Sequence, residues 1–250
     1  MKKHEALRII RKIRADYNTI SKEWDISRNT PSKRKLLFLR SLKKGQKILD
    51  LGCGNGLLIP GVMSKGAVYT GSDLSNKLIA IAKKRYKKEV KEKKVSFVIA
   101  DAIKLPFKKN SFDMAVSFSV LHHIPSEALR IKFFKEINRV VKPGGKAVVS
   151  VWNLLNPWPL ERFKIKEQLK HPRPDMDADD VLMPWKATPG KKPVMRYLHL
   201  FRKPELRRLA RAAGWRKITI RFQDKSGRPE KNGEDLSVIL KKDYARIAGK

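Results

Sequence analysis

The chain has 250 residues, 41% hydrophobic and 8% aromatic, enough for one large α/β core and too apolar for a disordered chain. Its single cysteine, Cys53, excludes an internal disulfide and a cysteine-rich zinc site, and no apolar run approaches the roughly 20 residues of a membrane-spanning helix. The net charge of +34, from 58 Lys+Arg against 24 Asp+Glu, makes nucleic acid the first candidate partner, although the basic residues are dispersed as in any lysine-rich composition. The opening MKKHEALRIIRKIR begins like a secretory leader, but Arg8, Arg11 and Arg14 interrupt any apolar stretch, so a cytoplasmic protein is expected. Helical spacing at 1–14 (Leu7, Ile10, Ile13) and 34–42 (Leu36, Leu37, Leu39) predicts an N-terminal helical cap over 1–44. From residue 45 the pattern changes. Short β-rich runs at 47–51, 67–72, 95–99, 113–119 and 146–152 alternate with helical patterns at 57–64, 77–92 and 127–141. That rhythm predicts an α/β fold with a doubly wound, mostly parallel sheet covered on both faces.

After Trp152 the alternation stops. The prolines Pro157, Pro159, Pro172, Pro174, Pro184, Pro189 and Pro193 mark residues 153–202 as an insertion, expected to form a substrate lid. KPELRRLARAAGW then reads as a helix closed by Gly214. RKITIRF and LSVILKK read as an antiparallel C-terminal hairpin, bringing the sheet to seven strands and placing the core at 45–152 and 203–242.

The stretch ILDLGCGNG puts a strand, then Gly52, Gly54 and Gly56, ahead of a helix, a loop whose backbone N–H groups can approach a ligand. Many nucleotide folds share such a loop, and the next acids narrow the choice. YTGSDLS ends the second strand at Asp73, near the ~20-residue offset at which a carboxylate grips ribose hydroxyls. IADA ends the third, bringing Asp101 and Ala102 to the same sheet edge. VVKPGGKAVVS predicts a turn before the fifth strand, with Gly144 and Gly145 supplying permissive backbone and no chemistry.

Over roughly residues 45–152 these features resemble the class I S-adenosylmethionine-dependent methyltransferases, and the G-x-G-x-G spacing differs from the G-x-G-x-x-G of dinucleotide enzymes. The resemblance implies a Rossmann-like methyltransferase fold with S-adenosyl-L-methionine as cofactor. It implies that Gly52, Gly54 and Gly56 lie against the cofactor's amino-acid part, that Asp73 holds the ribose, and that Asp101 with Ala102 reads the adenine. Asp50 would hold the loop or the cofactor's ammonium group.

VSFSVLHHIP closes the fourth β-rich run with His122 and His123. Adjacent residues on an extended segment point opposite ways, so the pair does not naturally chelate one ion and no metal is expected. Outside the cofactor core, YNTISKEWDISRNTP, VLHHIPSEALRIKFFKEINRVVKPGGKAVVSVWN, DDVLMPWK and VMRYLHLFRKPELRRLARAAGW resemble the tRNA wobble-uridine 5-carboxymethyl methyltransferases, from about Tyr17 to the C-terminus. The segment after Arg28 departs from that family, which continues into Pro-Trp-Pro, whereas SRNTPSKRK has Pro31 and no tryptophan.

This resemblance implies esterification of the carboxylate of 5-carboxymethyluridine at the wobble position, with tRNA as partner. It also implies a small zinc-containing activator protein, which family members often use. A carboxylate with a reference pKa near ~4 is already ionised at neutral pH, so it needs alignment and desolvation but no general base. By the resemblance Arg28, His122, His123 and Arg196 are the expected catalytic groups, and Tyr197, His199 and Trp152 the expected substrate-binding ones. Trp152 can stack on an extruded base or pack in the core, and Trp185 has the same choice. The basic stretches 83–94 and 202–216 are candidate phosphate-contacting faces. Two other classes stay open. One is a small-molecule C- or O-methyltransferase of the same fold acting on a quinone or lipid precursor, with residues 1–14 as an amphipathic membrane-surface helix. The other is a non-catalytic RNA-binding protein.

Overall fold

Apolar residues that alternate along β-strands must be covered on both sides, and the structure does this with two separate hydrophobic clusters. In the computed structural model, which describes residues 1–185, 193–224 and 226–244, Ile48, Met114, Val116 and Val148 belong to one cluster. Their strand neighbours Leu49, Leu51, Ala115, Val149 and Val151 belong to the other. Pro189 and the rest of 186–192 lie outside the described residues.

The N-terminal segment folds into α1 (Lys3–Thr19), α2 (Ser21–Ser27) and α3 (Lys33–Phe38), the last followed by a 3-10 turn at Leu39–Ser41. Then come β1 (Lys47–Leu51), α4 (Ile59–Met63), β2 (Val68–Asp73), α5 (Asn76–Arg85), α6 (Lys87–Lys91) and β3 (Val95–Ile99). β4 (Phe112–Phe118), α7 (Glu127–Val140) and β5 (Val141–Trp152) complete the parallel part. Next are α8 (Pro157–Arg162), α9 (Ile165–Lys170), β6 (Asp180–Pro184) and β7 (Met195–His199). α10 (Lys203–Ala212), β8 (Lys217–Gln223) and β9 (Asp235–Lys241) close the chain.

The strands form a seven-stranded sheet in the order β3-β2-β1-β4-β5-β9-β8. The first five are parallel, β9 runs antiparallel to β5, and β8 pairs antiparallel with β9, as the expected hairpin. The order reverses between β1 and β4. In doubly wound sheets the crevice outside the strand ends at such a reversal receives the ligand. No helix among the described residues is long and apolar enough to cross a membrane.

Local chemistry explains the element ends. Ser75 caps α5 by accepting from Leu78 N–H at 3.2 Å, and Gly214 follows α10 with φ of +86°, a value that an L side chain resists. α10 turns Leu206, Leu209 and Ala210 inward, and Trp215, 1% exposed, anchors the next turn through its indole N–H on the Phe134 carbonyl at 3.2 Å.

Three local expectations are corrected. The pattern over 77–92 is two helices, broken at Tyr86. The Lys-Pro-Gly-Gly segment is a bulge inside β5, because pairing with β4 shifts register between Phe112↔Val141 and Met114↔Lys146. Where the alternation stops, residues 153–202 still form regular elements. α8, α9 and the β6–β7 hairpin close over a small core of Leu154, Ile165, Val181, Met183, Leu198 and Leu200.

Candidate active site

The ends of β1, β2 and β4 open into a cleft of about 330 Å³, bounded on its other side by the N-terminal cap and by residues of the insertion. The glycine loop forms its floor. Gly52 (φ +77°) and Gly54 (φ +55°) sit in the left-handed region; a side chain at Gly52 would run into Val120, and one at Gly54 would meet Trp24 at 2.9 Å. Gly56 (φ +80°) is packed against Ile59 and Tyr86 and does not line the cleft.

Three carboxylates line this wall. Asp73 accepts Gly54 N–H at 2.9 Å on one oxygen and Ser75 N–H at 2.8 Å on the other, which fixes its orientation. Burial raises its pKa, and those backbone bonds hold it back. Asp101 accepts Ile103 N–H at 3.1 Å and lines the cleft beside Ala102. Asp50, 4% exposed, accepts the Tyr69 hydroxyl at 2.7 Å on Oδ2, and Oδ1 takes no hydrogen bond among the described residues. Burial pushes the Asp50 carboxyl up to about 6, against the Tyr69 hydrogen bond and the charge of Lys35. An anchored carboxylate for a diol, a second for an exocyclic amine and a third beside the loop fit the parts of S-adenosyl-L-methionine in order.

The opposite wall is cationic and aromatic. Arg196, 6% exposed, holds its guanidinium 5.2 Å from the Trp152 ring centroid and 5.0 Å from that of Trp185. Arg28 stands 5.7 Å from the Trp185 centroid. Burial lowers the Arg28 pKa, and the Arg196 charge lowers it further. Among the described residues neither arginine forms an ion pair with a carboxylate, and the Arg196 Nε has no partner.

His123 lines the cleft, but both of its nitrogens are engaged. Nδ1 lies 2.8 Å from the Tyr197 carbonyl oxygen, which can only accept, so Nδ1 carries the proton. Nε2 therefore accepts the Tyr17 hydroxyl, at 2.8 Å. Burial, then the charge of Arg196, lowers the His123 pKa to about 3, so the imidazole is neutral. Its role is to orient Tyr17. His122, 0% exposed, does not line the cleft; its ring lies 5.0 Å from that of Trp152, tilted by 44°, it accepts Trp152 N–H at 3.4 Å, and its Nε2 has no partner among the described residues. The pair is not on an extended segment. It occupies the 3-10 turn Leu121–His123 with ring centroids 4.5 Å apart, so opposite-face alternation does not apply. Among the described residues no group of three or more His, Cys, Asp or Glu is arranged to hold a metal.

β7 divides the RYLH motif between two sites, because alternate residues of a strand face opposite ways. Arg196 faces the cleft. Tyr197 and His199 do not reach it and enter a buried cluster around Arg130, which is 2% exposed. Arg130 donates to the Ile124 carbonyl at 3.0 Å, to the Tyr197 hydroxyl at 3.0 Å and to Asp180 at 3.2 Å. His199 contacts Asp180 at 2.6 Å through Nδ1 and Glu205 at 3.0 Å through Nε2. Burial disfavours its charge, but the two carboxylate hydrogen bonds outweigh it and raise the pKa. In this arrangement the Tyr197 and His199 side chains are committed to protein partners, in place of the expected substrate contact.

A model of the "Methyltransferase domain" matches residues 49–149. A tRNA (carboxymethyluridine(34)-5-O)-methyltransferase from Arabidopsis thaliana is 33% identical over 172 residues, 66% of this chain and 40% of that one. The enzyme of the same name from Schizosaccharomyces pombe is 31% identical over 219 residues, 79% of this chain and 86% of that one. This chain belongs to that family. Its core is an S-adenosyl-L-methionine-dependent methyltransferase domain. The chain spans only 30% and 40% of the Xenopus tropicalis and Arabidopsis relatives it matches. Among solved structures, an S-adenosylmethionine-dependent methyltransferase from Methanosarcina mazei superposes with TM-score 0.66 at 23% identity, over 84% of this chain and 98% of that one. A Haloferax volcanii methyltransferase, solved in complex with the Trm112 methyltransferase activator, superposes with TM-score 0.64 at 16% identity, over 94% and 99%. These two likenesses concern the fold.

Within this methyltransferase fold, sequence reasoning overlooked Tyr17 and Arg130 as individual residues. Arg130 did carry a signal. It falls on the buried stripe of α7 with Phe133, Phe134 and Ile137, a helical spacing in which a charge needs buried partners. Tyr17 had none, since its partner His123 is 106 residues away.

Proposed function

We propose that the protein methylates the carboxylate of 5-carboxymethyluridine at the wobble position of tRNA, with Arg28 and Arg196 holding that carboxylate. The observation that carries this reading is the pair of guanidiniums facing one cleft, without a carboxylate partner among the described residues, next to the wall of cofactor-binding acids. Two mutually repelling cations at one site favour an anionic ligand, and a planar carboxylate matches the fork of arginine donors. The names of the relatives support the same substrate.

Asp73, Asp101 and Asp50 would hold S-adenosyl-L-methionine. When bound it supplies a methyl group on a sulfonium, which a carboxylate oxygen takes as an ester methyl while the C–S electron pair returns to sulfur and no proton moves. The protein's own groups bind and orient. Trp152 and Trp185 flank the Arg196 guanidinium, limiting its sweep, and Tyr17 is fixed by His123. Neutral His123, with both nitrogens engaged, neither removes a proton nor competes for the anion. The β6–β7 insertion brings Arg196 and Trp185 over the cleft and in this reading serves as the substrate-binding cover. The basic faces would supply phosphate contacts to tRNA, and the small zinc-containing activator that the resemblance implies would be a second partner; the Haloferax neighbour was solved with a methyltransferase activator.

The test is incubation with isotopically labelled S-adenosyl-L-methionine and total tRNA lacking the wobble ester, with and without the organism's own activator. The expected product is a base-labile methyl ester of 5-carboxymethyluridine. Label on a small quinone or lipid precursor, with none on tRNA under either condition, would replace this reading by the small-molecule one. Because Asp50 titrates at about 6, cofactor affinity should hold above that pH and fall by up to about tenfold per unit below it, as the protonated acid loses its attraction for the ammonium group.

A further inference from the structure

Besides Arg28 and Arg196, three cations among the described residues line the cleft: Arg14 on α1, and Arg34 and Lys35 on α3. Lys35, on α3, lines the cleft with its Nζ 5.6 Å from the centroid of the Phe118 ring, at the end of β4. Among the described residues this ammonium makes no hydrogen bond or ion-pair contact, although it feels the charges of Asp50 and Asp235. Its neighbour Arg34 is committed, paired with Asp235 at 2.5 Å and donating to the Asp224 carbonyl at 3.0 Å. A part-buried lysine without a direct hydrogen-bonding partner is costly, and a ligand that brings an anion would offset that cost.

The sheet order says which part of a ligand lies there. Asp101 follows β3 and Asp73 ends β2, so the adenine and ribose lie over that half of the sheet. The amino-acid end then lies over β1 and β4, where Asp50 and Phe118 stand. That end is a zwitterion. Asp50 with its open Oδ1 and Lys35 both line the cleft and interact electrostatically without an ion-pair contact among the described residues, so each is available to an opposite charge of the zwitterion. Arg28 and Arg196 are held against Trp185, on the insertion side.

We propose that Lys35 binds the α-carboxylate of S-adenosyl-L-methionine, opposite Asp50, which takes the ammonium. The proposal rests on the cofactor and is independent of the methyl acceptor. It is tested by calorimetric titration, without tRNA, using S-adenosyl-L-methionine and its decarboxylated analogue, which keeps the ammonium and lacks only the carboxylate. The wild-type protein should prefer the carboxylate-bearing ligand by about tenfold to a hundredfold, the value of one charge-assisted contact. Lys35→Met should lose that preference by weakening S-adenosyl-L-methionine alone, and Lys35→Arg should keep most of it. Equal weakening of both ligands by Lys35→Met would mean that Lys35 only supports the cap, and no wild-type preference would sink the proposal without any variant. If Lys35→Met does not fold, Lys35→Gln takes its place. A wild-type chain that binds neither ligand overturns the cofactor assignment itself.

Discussion

Arg130 and Arg196 are both buried, at 2% and 6% exposure, and their surroundings are opposite. Arg130 is enclosed by acceptors: Asp180, the Tyr197 hydroxyl and the Ile124 carbonyl. Arg196 has two indole faces, the Tyr17 side chain, the charge of Asp16 at longer range, a second arginine nearby and, among the described residues, an Nε with no partner. A buried charge is tolerated when satisfied from within the fold, and its removal then leaves stranded partners. A charge with a donor left over and no ion-pair contact can be completed from outside. The first arrangement holds the insertion to α7; the second is the carboxylate site proposed above.

The contrast can be broken most severely at Arg130. Arg130→Met should destabilise the protein by about 3–5 kcal/mol, because Asp180 and the Tyr197 hydroxyl lose a shared partner, and denaturant melts would read it. A loss below ~1 kcal/mol would mean the cluster does not hold the insertion. Arg196→Met should do the reverse, cutting methyl transfer by up to about a hundredfold while leaving the melting temperature nearly unchanged. If it lowered stability and spared turnover, the pocket reading of Arg196 would fail. Tyr197→Phe is the sharper probe, since the substitution sits one residue from Arg196 on the other face of β7. It should cost about 1–3 kcal/mol of stability with kcat unchanged, and a selective loss of kcat would return Tyr197 to the substrate.

The smallest effect separates the two regions by pH. His199 has a raised pKa, so its contribution is complete below the unfolded value near 6.5 and is lost as pH rises through the folded one. His123, lowered to about 3, contributes fully above about 6.5 and loses that contribution as pH falls toward 3. The stability gap between wild type and His199→Asn should therefore close in alkali, and that for His123→Asn in acid, each by at most ~1.4 kcal/mol per pH unit. Thermal melts of both variants across pH would test the pairing, and gaps that ignore pH would contradict it.

Much of the fold was legible because two simple periods carry it. Short β-rich runs between helical patterns located the strands of the large sheet, and the turn at Gly214 closed α10 where the glycine stood. The insertion was opaque because α8, α9 and the β6–β7 hairpin share a core of a few residues, too short a run for either period to emerge among prolines. The acids at the strand ends, Asp50, Asp73 and Asp101, were found by position. The period-two rule was applied to His122-His123, where a 3-10 turn cancels it, and not to RYLH, where a strand obeys it. Applied there, it would have separated Arg196 from Tyr197 and His199. The Tyr17–His123 contact and the flanking of Arg196 by two tryptophans depend on long-range packing, which no local pattern reports.

The alternation along β7 also restricts how the chain can change length. Deleting or adding one residue inside Met195–His199 would exchange its two faces, sending a guanidinium toward the acidic cluster and presenting a phenol or imidazole to the cleft. Gaps and insertions between related chains should therefore collect outside this strand, and its five positions should behave as a single inherited unit.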